Sequence, residues 1–397
     1  MSPLLLALQV ALLVASASLL ACLVPLRRAA VRGRLDVAEE QPVPRRVLIV
    51  SASIGAGHDG AATELARQAR VQGFSVDRVD FLDLLPAGTG GLLRTAYRLQ
   101  LMMAPATWGW LLPRLGSAPG GGWAARLPAR LTRRRLLTAC RPVPALVVST
   151  YPLASQALAR LRVDGRLDAP VATFLTDMSV HPLWVAPGVD HHLALHGIPA
   201  LQARSLGARD VRVVGPAVSP AFRPATPRSR REARTEFGLP ADGRLALVVA
   251  GSWGVGDILR TVDDLLGTGA VTPVVVCGSN RALRRAVASR DGAVGLAWVA
   301  DMPVLMRGCD LVVQNAGGLT SLEACRSGLP VLTYRSLPGH GVTNNGALDS
   351  AGWATWVHAA EDLLPSVQEA LIARRLASAD HEVPWTALTG VAQCEPA

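Results

Sequence analysis

Ten consecutive residues, Asn315-Ala316-Gly317-Gly318-Leu319-Thr320-Ser321-Leu322-Glu323-Ala324, place two glycines, two hydroxyls and a carboxylate where a short apolar strand (311–313) meets a helix. The helix is predicted to end near Gly328-Leu329-Pro330. Glycines at such a junction let a ligand approach the backbone. The first helical turn adds unpaired N–H groups and a partial positive charge, which suits a diphosphate. Glu323 lies one turn in, where its carboxylate can hold a neighbouring ribose through the hydroxyls. A second Gly-rich turn, Ile54-Gly55-Ala56-Gly57-His58, follows an apolar run at 47–51. Either turn alone is equally consistent with a tight connection in a parallel sheet. Two of them, on separate α/β units, point to a ligand held between two domains.

The elements that position these turns are readable as short apolar runs separated by Gly-marked loops. In the first half they fall at 47–51, 76–80, 146–149, 171–175, 193–195 and 211–214, closing at Gly215-Pro216. The run at 171–175 leads into Thr176-Asp177-Met178-Ser179-Val180-His181-Pro182-Leu183-Trp184. A second series falls at 245–250, 274–277, 296–299, 311–313 and 331–334. These lead into Gly251-Ser252-Trp253-Gly254-Val255-Gly256, Gly278-Ser279-Asn280, Ala300-Asp301-Met302-Pro303, the opening motif, and Pro338-Gly339-His340-Gly341 with Asn344. Strands alternating with helices imply parallel sheets in both halves. In such sheets ligands collect beyond the carboxyl ends of the strands, where these motifs fall. The expected division is an anchor at 1–26, a linker at 27–46, an N-terminal domain at 47–222 and a Pro/Arg-rich linker at 223–240. A C-terminal domain at 241–375 and a tail at 376–397 follow.

The 397 residues are half hydrophobic, enough for two cores, and carry a formal charge of +10 with every basic residue an arginine. From Leu84 to Val163 there are eleven arginines and no acidic residue. A single-sign stretch points to an anionic partner. Its interleaved Leu, Met and Trp residues, without a nucleic-acid motif, favour an anionic membrane surface met by segment 88–145 over nucleic acid. An Arg-rich solvated helix pair is the plainer alternative. Residues 3–26 form an apolar run long enough to cross a bilayer core of about 30 Å, followed at once by Arg27, Arg28, Arg32 and Arg34. That charge order predicts a single-pass anchor in the cell membrane with the catalytic part cytoplasmic. A cleavable signal peptide, with Ala15-Ser16-Ala17 as its cleavage site, is the alternative, though it wants charge ahead of the apolar core. The six cysteines show neither zinc nor disulfide spacing.

Taken in order, these motifs resemble glycosyltransferase family 28, in particular its branch of monogalactosyldiacylglycerol synthases and processive diacylglycerol glucosyltransferases. The resemblance spans about residues 47–371. It rests on S-x-x-x-G-x-G-H at 51–58, T-D-x-x-x-H-P-x-W at 176–184 and G-S-x-G at 251–254. C-G-x-N at 277–280, D-M-P at 301–303, A-G-x-x-T-x-x-E-A at 316–324 and Pro338-Gly339 complete the series. It implies a GT-B architecture: two Rossmann-like domains facing across a cleft, the C-terminal one taking a UDP-sugar and the N-terminal one a membrane lipid. By that resemblance Gly278, Asn280 and Met302 lie near the base, and Glu323 at the ribose. Gly251, Ser252, Gly317, Gly318 and Thr320 surround the diphosphate, while Gly339, His340 and Asn344 face the sugar. Gly55, Gly57, His181 and Trp184 belong to the acceptor side. Relatives carry Gln-Glu where His340 and Gly341 stand, and Trp253 is unusual within the phosphate turn.

Transfer of a sugar to a hydroxyl needs a base for the acceptor proton and relief of charge on the departing diphosphate. His58, just past a Gly turn at a helix start, is the candidate base, with Asp177 orienting it or sharing its work; Asp177 capping a loop is the bland alternative. For His181 and Trp184, shaping the acceptor entrance and simple packing are equally open. No D-x-D follows a strand and no His/carboxylate cluster has metal spacing, so neither metal nor cofactor is expected. Asp263-Asp264 reads as a solvated helix face, and His191-His192 as structural. The expected activity is inverting, metal-independent hexosyl transfer from a UDP-sugar to a lipid hydroxyl. A nucleotide-sugar epimerase of the same architecture and a family member that binds without turnover are the alternatives, with an NAD-dependent oxidoreductase ranked last.

Overall fold

The structure, a computed structural model, describes residues 45–104, 107, 122–249, 251, 253–372 and 383–389. The expected anchor at 1–26, most of the following linker, Ser252, and Trp108 to Leu112 lie outside these residues. No helix among the described residues is long and apolar enough to cross a membrane.

Two six-stranded sheets, parallel throughout, form the two halves. The first has the order β2-β1-β3-β4-β5-β6. Its strands are β1 (Arg46–Ser51), β2 (Ser75–Asp80), β3 (Leu146–Ser149), β4 (Val171–Phe174), β5 (His191–Ala194) and β6 (Val211–Val213). The second has the order β12-β11-β10-β7-β8-β9. It comprises β7 (Leu245–Val249), β8 (Thr272–Val276), β9 (Val294–Leu296), β10 (Leu311–Gln314), β11 (Val331–Tyr334) and β12 (Thr355–Val357). Central strands such as Leu146–Ser149 and Leu311–Gln314 are buried along their whole length. That is why they read as unbroken apolar runs rather than alternating ones. Register is direct: Val50 pairs with Ser149, and Gln314 with Val249. The two Rossmann-like halves thus form the expected GT-B arrangement.

Strand order reverses between β1 and β3 in the first sheet and between β7 and β10 in the second. At such switch points the two neighbouring connections leave on opposite faces and open a crevice beyond the strand ends. The Gly turns after β1, β7 and β10 all fall there.

Three segments depart from expectation. Within the stretch expected as a linker, Pro227–Glu236 forms a helix with a Thr226/Ser229 capping box. Arg230 and Arg234 fasten it to the buried Asp310 carboxylate at 2.6 and 3.0 Å. In the expected tail, Val383, Trp385 and Leu388 are buried. Trp385 packs against Phe74 with ring centroids 6.5 Å apart, and the Val383 N–H donates to Gln68 Oε1. The chain end therefore returns to the N-terminal half. The last departure is β9, which ends at Leu296, leaving Trp298 exposed beyond it instead of inside the strand.

Candidate active site between the two halves

His58 sits in the first turn of the helix Ala56–Val71, reached through Gly55, whose φ of 90° favours glycine. Its Nδ1 lies 2.7 Å from the Thr150 carbonyl at the end of β3 and 3.1 Å from Thr176 Oγ1. A carbonyl only accepts, so Nδ1 carries the proton in the neutral ring and Nε2 keeps its lone pair. The ring is walled by Tyr151 (5.5 Å between centroids) and Trp184 (6.0 Å). The orienting group is therefore Thr150, across the switch point, where the sequence offered Asp177. Asp177 instead accepts the Trp184 indole N–H at 3.2 Å. Trp184 is 1% exposed and packs in a cluster with Leu175, Ala194 and Ala200, so it forms a buried wall rather than an open entrance. His181 caps the short turn Pro182–Trp184 by accepting the Leu183 N–H.

In the second half, Gln314 organises the turn after β10, a role the motif reading missed. Its buried side chain accepts the N–H groups of Ala316 (2.6 Å) and Gly317 (2.5 Å) through Oε1. Nε2 donates to Asn345 Oδ1. Gly317 has φ 66°, and a Cβ there would stand 2.6 Å from Asn345 Oδ1, so only glycine fits. The helix Leu319–Arg326 then starts at Gly318 with no side-chain cap. An uncapped first turn of this kind leaves helix-start amides without a side-chain partner, the feature that suits an anion. Gly251 has φ 65° and open space on its Cβ side; Ser252 lies outside the described residues.

Other predicted donor residues have structural partners. Asn280 caps the helix Arg281–Ala288 by accepting the Leu283 N–H at 2.9 Å, following Gly278 at φ 59°. Met302 begins the helix Met302–Gly308, which Asp301 caps. Gly339 precedes the uncapped helix His340–Ser350. Asn344, buried, accepts the Ser179 N–H at 2.8 Å and so ties the helix His340–Ser350 directly to the loop after β4. Burial lowers the His340 pKa, opposed by Asp177 and assisted by His58, which puts the three groups in one neighbourhood.

The two halves also meet along the helix Ala56–Val71. A Cβ on Gly60 would lie 2.3 Å from Leu319 Cδ2, and Gly57 faces the same leucine. Beside this contact an open cavity of about 600 Å³ is lined by Glu323 and Leu319 from one half and Gly60, Thr63, Arg67 and Phe222 from the other. Desolvation raises the Glu323 carboxyl to about 7. His58, two residues before Gly60 on the same helix, does not line the cavity. The expected single gap shared by His58 and Glu323 is therefore not seen: the cavity at Glu323 does not reach His58.

Asp263 and Asp264 are not merely solvated: Asp263 pairs with Arg290, and Asp264 takes Tyr334 and Arg335. His191 pairs with Asp210 at 2.6 Å, and His192 is buried. Among the described residues no three His, Cys, Asp or Glu side chains gather as a metal site. The four described cysteines are free, and burial pushes Cys309 up to about 12.

Residues 123–218 match the family model for monogalactosyldiacylglycerol (MGDG) synthase. The chain is 28% identical over 236 residues to a processive diacylglycerol beta-glucosyltransferase of Bacillus pumilus (strain SAFR-032), covering 57% of this chain and 61% of that protein. It is 27% identical over 325 residues to a probable chloroplastic monogalactosyldiacylglycerol synthase of Glycine max, covering 76% and 60%. The chain thus spans about 60% of the length of these relatives. Its fold is similar to that of Anabaena HepE in complex with UDP-glucose, with a TM-score of 0.53 at 15% identity over 83% of this chain and 90% of that one. These homologues carry the names of glycosyltransferases. Residues 123–218 therefore carry an MGDG synthase domain, and the chain's relatives are the diacylglycerol glucosyltransferases and MGDG synthases, the branch of glycosyltransferase family 28 that its motifs resemble.

Proposed function

We propose that the protein transfers a hexose from a UDP-sugar to the hydroxyl of a diacylglycerol-type membrane lipid, with inversion at the anomeric carbon and without a metal. The observation that carries this reading is the meeting of two switch-point crevices. One presents the His58 ring with Nε2 free to accept a proton; the other presents uncapped amides and Glu323. The relatives' names supply the acceptor class, and the UDP-glucose complex of a protein of similar fold supports the donor class.

In this reading the nucleoside occupies the 600 Å³ cavity, a size ordinary for a ligand site. Its ribose hydroxyls donate to Glu323. The diphosphate lies on the amides at Gly318 to Thr320. The acceptor oxygen bonds to the anomeric carbon opposite the departing UDP, whose C1–O bond breaks with its electron pair. The acceptor proton passes to His58 Nε2. Helix dipole and amides offset the charge that develops on the leaving diphosphate. Residues 3–26 anchor the chain, and the Arg-rich insertion at 88–145 rests on an anionic bilayer surface. The described part of that insertion exposes Leu92, Leu99, Met102 and Met103. It also carries Arg126, Arg130, Arg133 and Arg134 at helical spacing within Gly122–Ala139.

The test is a panel of UDP-sugars offered with and without diacylglycerol vesicles. Lipid-dependent UDP release with an inverted glycolipid product supports the reading. An epimerised nucleotide sugar formed without lipid, or donor binding with no turnover on any acceptor, overturns it.

A further inference from the structure

The helix Arg281–Ala288 buries Leu283 and Val287 and turns Arg281, Arg284 and Arg285 outward on one face. None of the three has an acidic partner among the described residues, whereas Arg290, Arg230 and Arg335 do. The helix packs on β9, where a Cβ on Gly295 would stand 3.1 Å from the Arg284 carbonyl. Two residues beyond β9, Trp298 is 61% exposed. A large indole left in solvent just past the strand on which the unpaired arginine helix packs has the composition of a headgroup-depth surface, where indole sits at the interface and arginine meets phosphate.

Its position in the molecule strengthens the case. Tyr97, on the insertion helix Thr89–Met103, meets Trp253 edge-on with centroids 6.0 Å apart. The next residue, Gly254, abuts the start of the arginine helix: a Cβ on it would touch Asn280 Cβ and Leu283 Cδ2 at 3.0 Å. The basic helix of the second half therefore follows directly on the apolar insertion of the first.

We infer that Arg281, Arg284, Arg285 and Trp298 form a second bilayer-contacting surface, on the donor-side half, that takes anionic lipid headgroups. Both halves then stand on the membrane, and the seam between them opens at its surface. This rests on the membrane reading above, and the test separates the two.

The full chain is exposed to hydroxyl radicals with vesicles of neutral phosphatidylcholine or with phosphatidylglycerol added, and side-chain oxidation is read by mass spectrometry. Oxidation of Trp298 is expected to fall several-fold with the anionic vesicles alone, and high salt should restore it. The triple variant R281E/R284E/R285E reverses charge at three exposed positions and leaves the buried Leu283 and Val287 in place. It should lose the protection of Trp298 and on the order of tenfold to 100-fold in vesicle affinity. It should keep protection of Met102 and Met103 and turnover on detergent-dispersed acceptor. Protection of Met102 and Met103 with Trp298 unchanged overturns this proposal alone. Protection at neither place overturns the membrane reading with it. Protection of Trp298 that survives the charge reversal excludes headgroup recognition by these arginines.

Discussion

His58 and Glu323 divide the proposed chemistry, and each makes a distinct prediction. His58→Ala removes the proton acceptor but touches no donor group. UDP affinity measured by calorimetry should stay within about twofold while turnover falls by about 10²–10⁴; unchanged turnover would remove His58 from the role of base. Glu323 has its carboxyl raised to about 7 by desolvation, so below that pH the neutral acid predominates. Only the carboxylate accepts from both ribose hydroxyls. Donor affinity should therefore rise as pH climbs from 6 to 8, and Glu323→Gln should flatten the profile. A wild-type affinity independent of pH would contradict this. Both residues stood out in the motifs because Gly turns and helix starts are visible in one dimension. Thr150 and Gln314, which bond the His58 ring and the turn after β10, were not visible as such. Their roles depend on β3 lying beside β1 and on Asn345 reaching back to the turn.

The helix Ala56–Val71 joins both halves through a contact at which any side chain on Gly60 would displace the Leu319 side chain. Gly60→Val should push Leu319 and its helix away, costing about 1–3 kcal/mol and lowering donor turnover. Adding Leu319→Ala should recover much of both; thermal melts and assays of the single and double variants check this. β5 makes a different prediction. Burial lowers the His192 pKa from 6.5 to about 4, so between those values the unfolded chain binds a proton that the folded one does not. Acidification through that window should destabilise the wild type by at most about 3 kcal/mol, and His192→Leu should lose that slope in denaturant titrations from pH 7 to pH 4. Elements that bury apolar runs, such as Leu146–Ser149 and Val331–Tyr334, were legible to the residue. The helix Pro227–Glu236 was not: what it buries is an arginine–aspartate network, which in sequence resembles a charged linker.

For the molecule as a whole, the two-domain plan was legible because each Rossmann-like half repeats strand, Gly turn and helix. The return of Trp385 to the first half was not, since one short apolar segment does not say which core it joins. The seam itself is defined by contacts between residues far apart in the chain, among them Ser179 with Asn344 and Gly60 with Leu319. The proposed transfer needs a donor seated at Glu323 to extend out of its cavity to His58. A structure of the protein with UDP bound tests that most directly. The diphosphate should lie within hydrogen-bond reach of the amides at Gly318 to Thr320, the ribose on Glu323, and the His58 Nε2 side should remain open towards the terminal phosphate. UDP seated on another face of the second half, or in the seam with its ribose away from Glu323, would contradict the account.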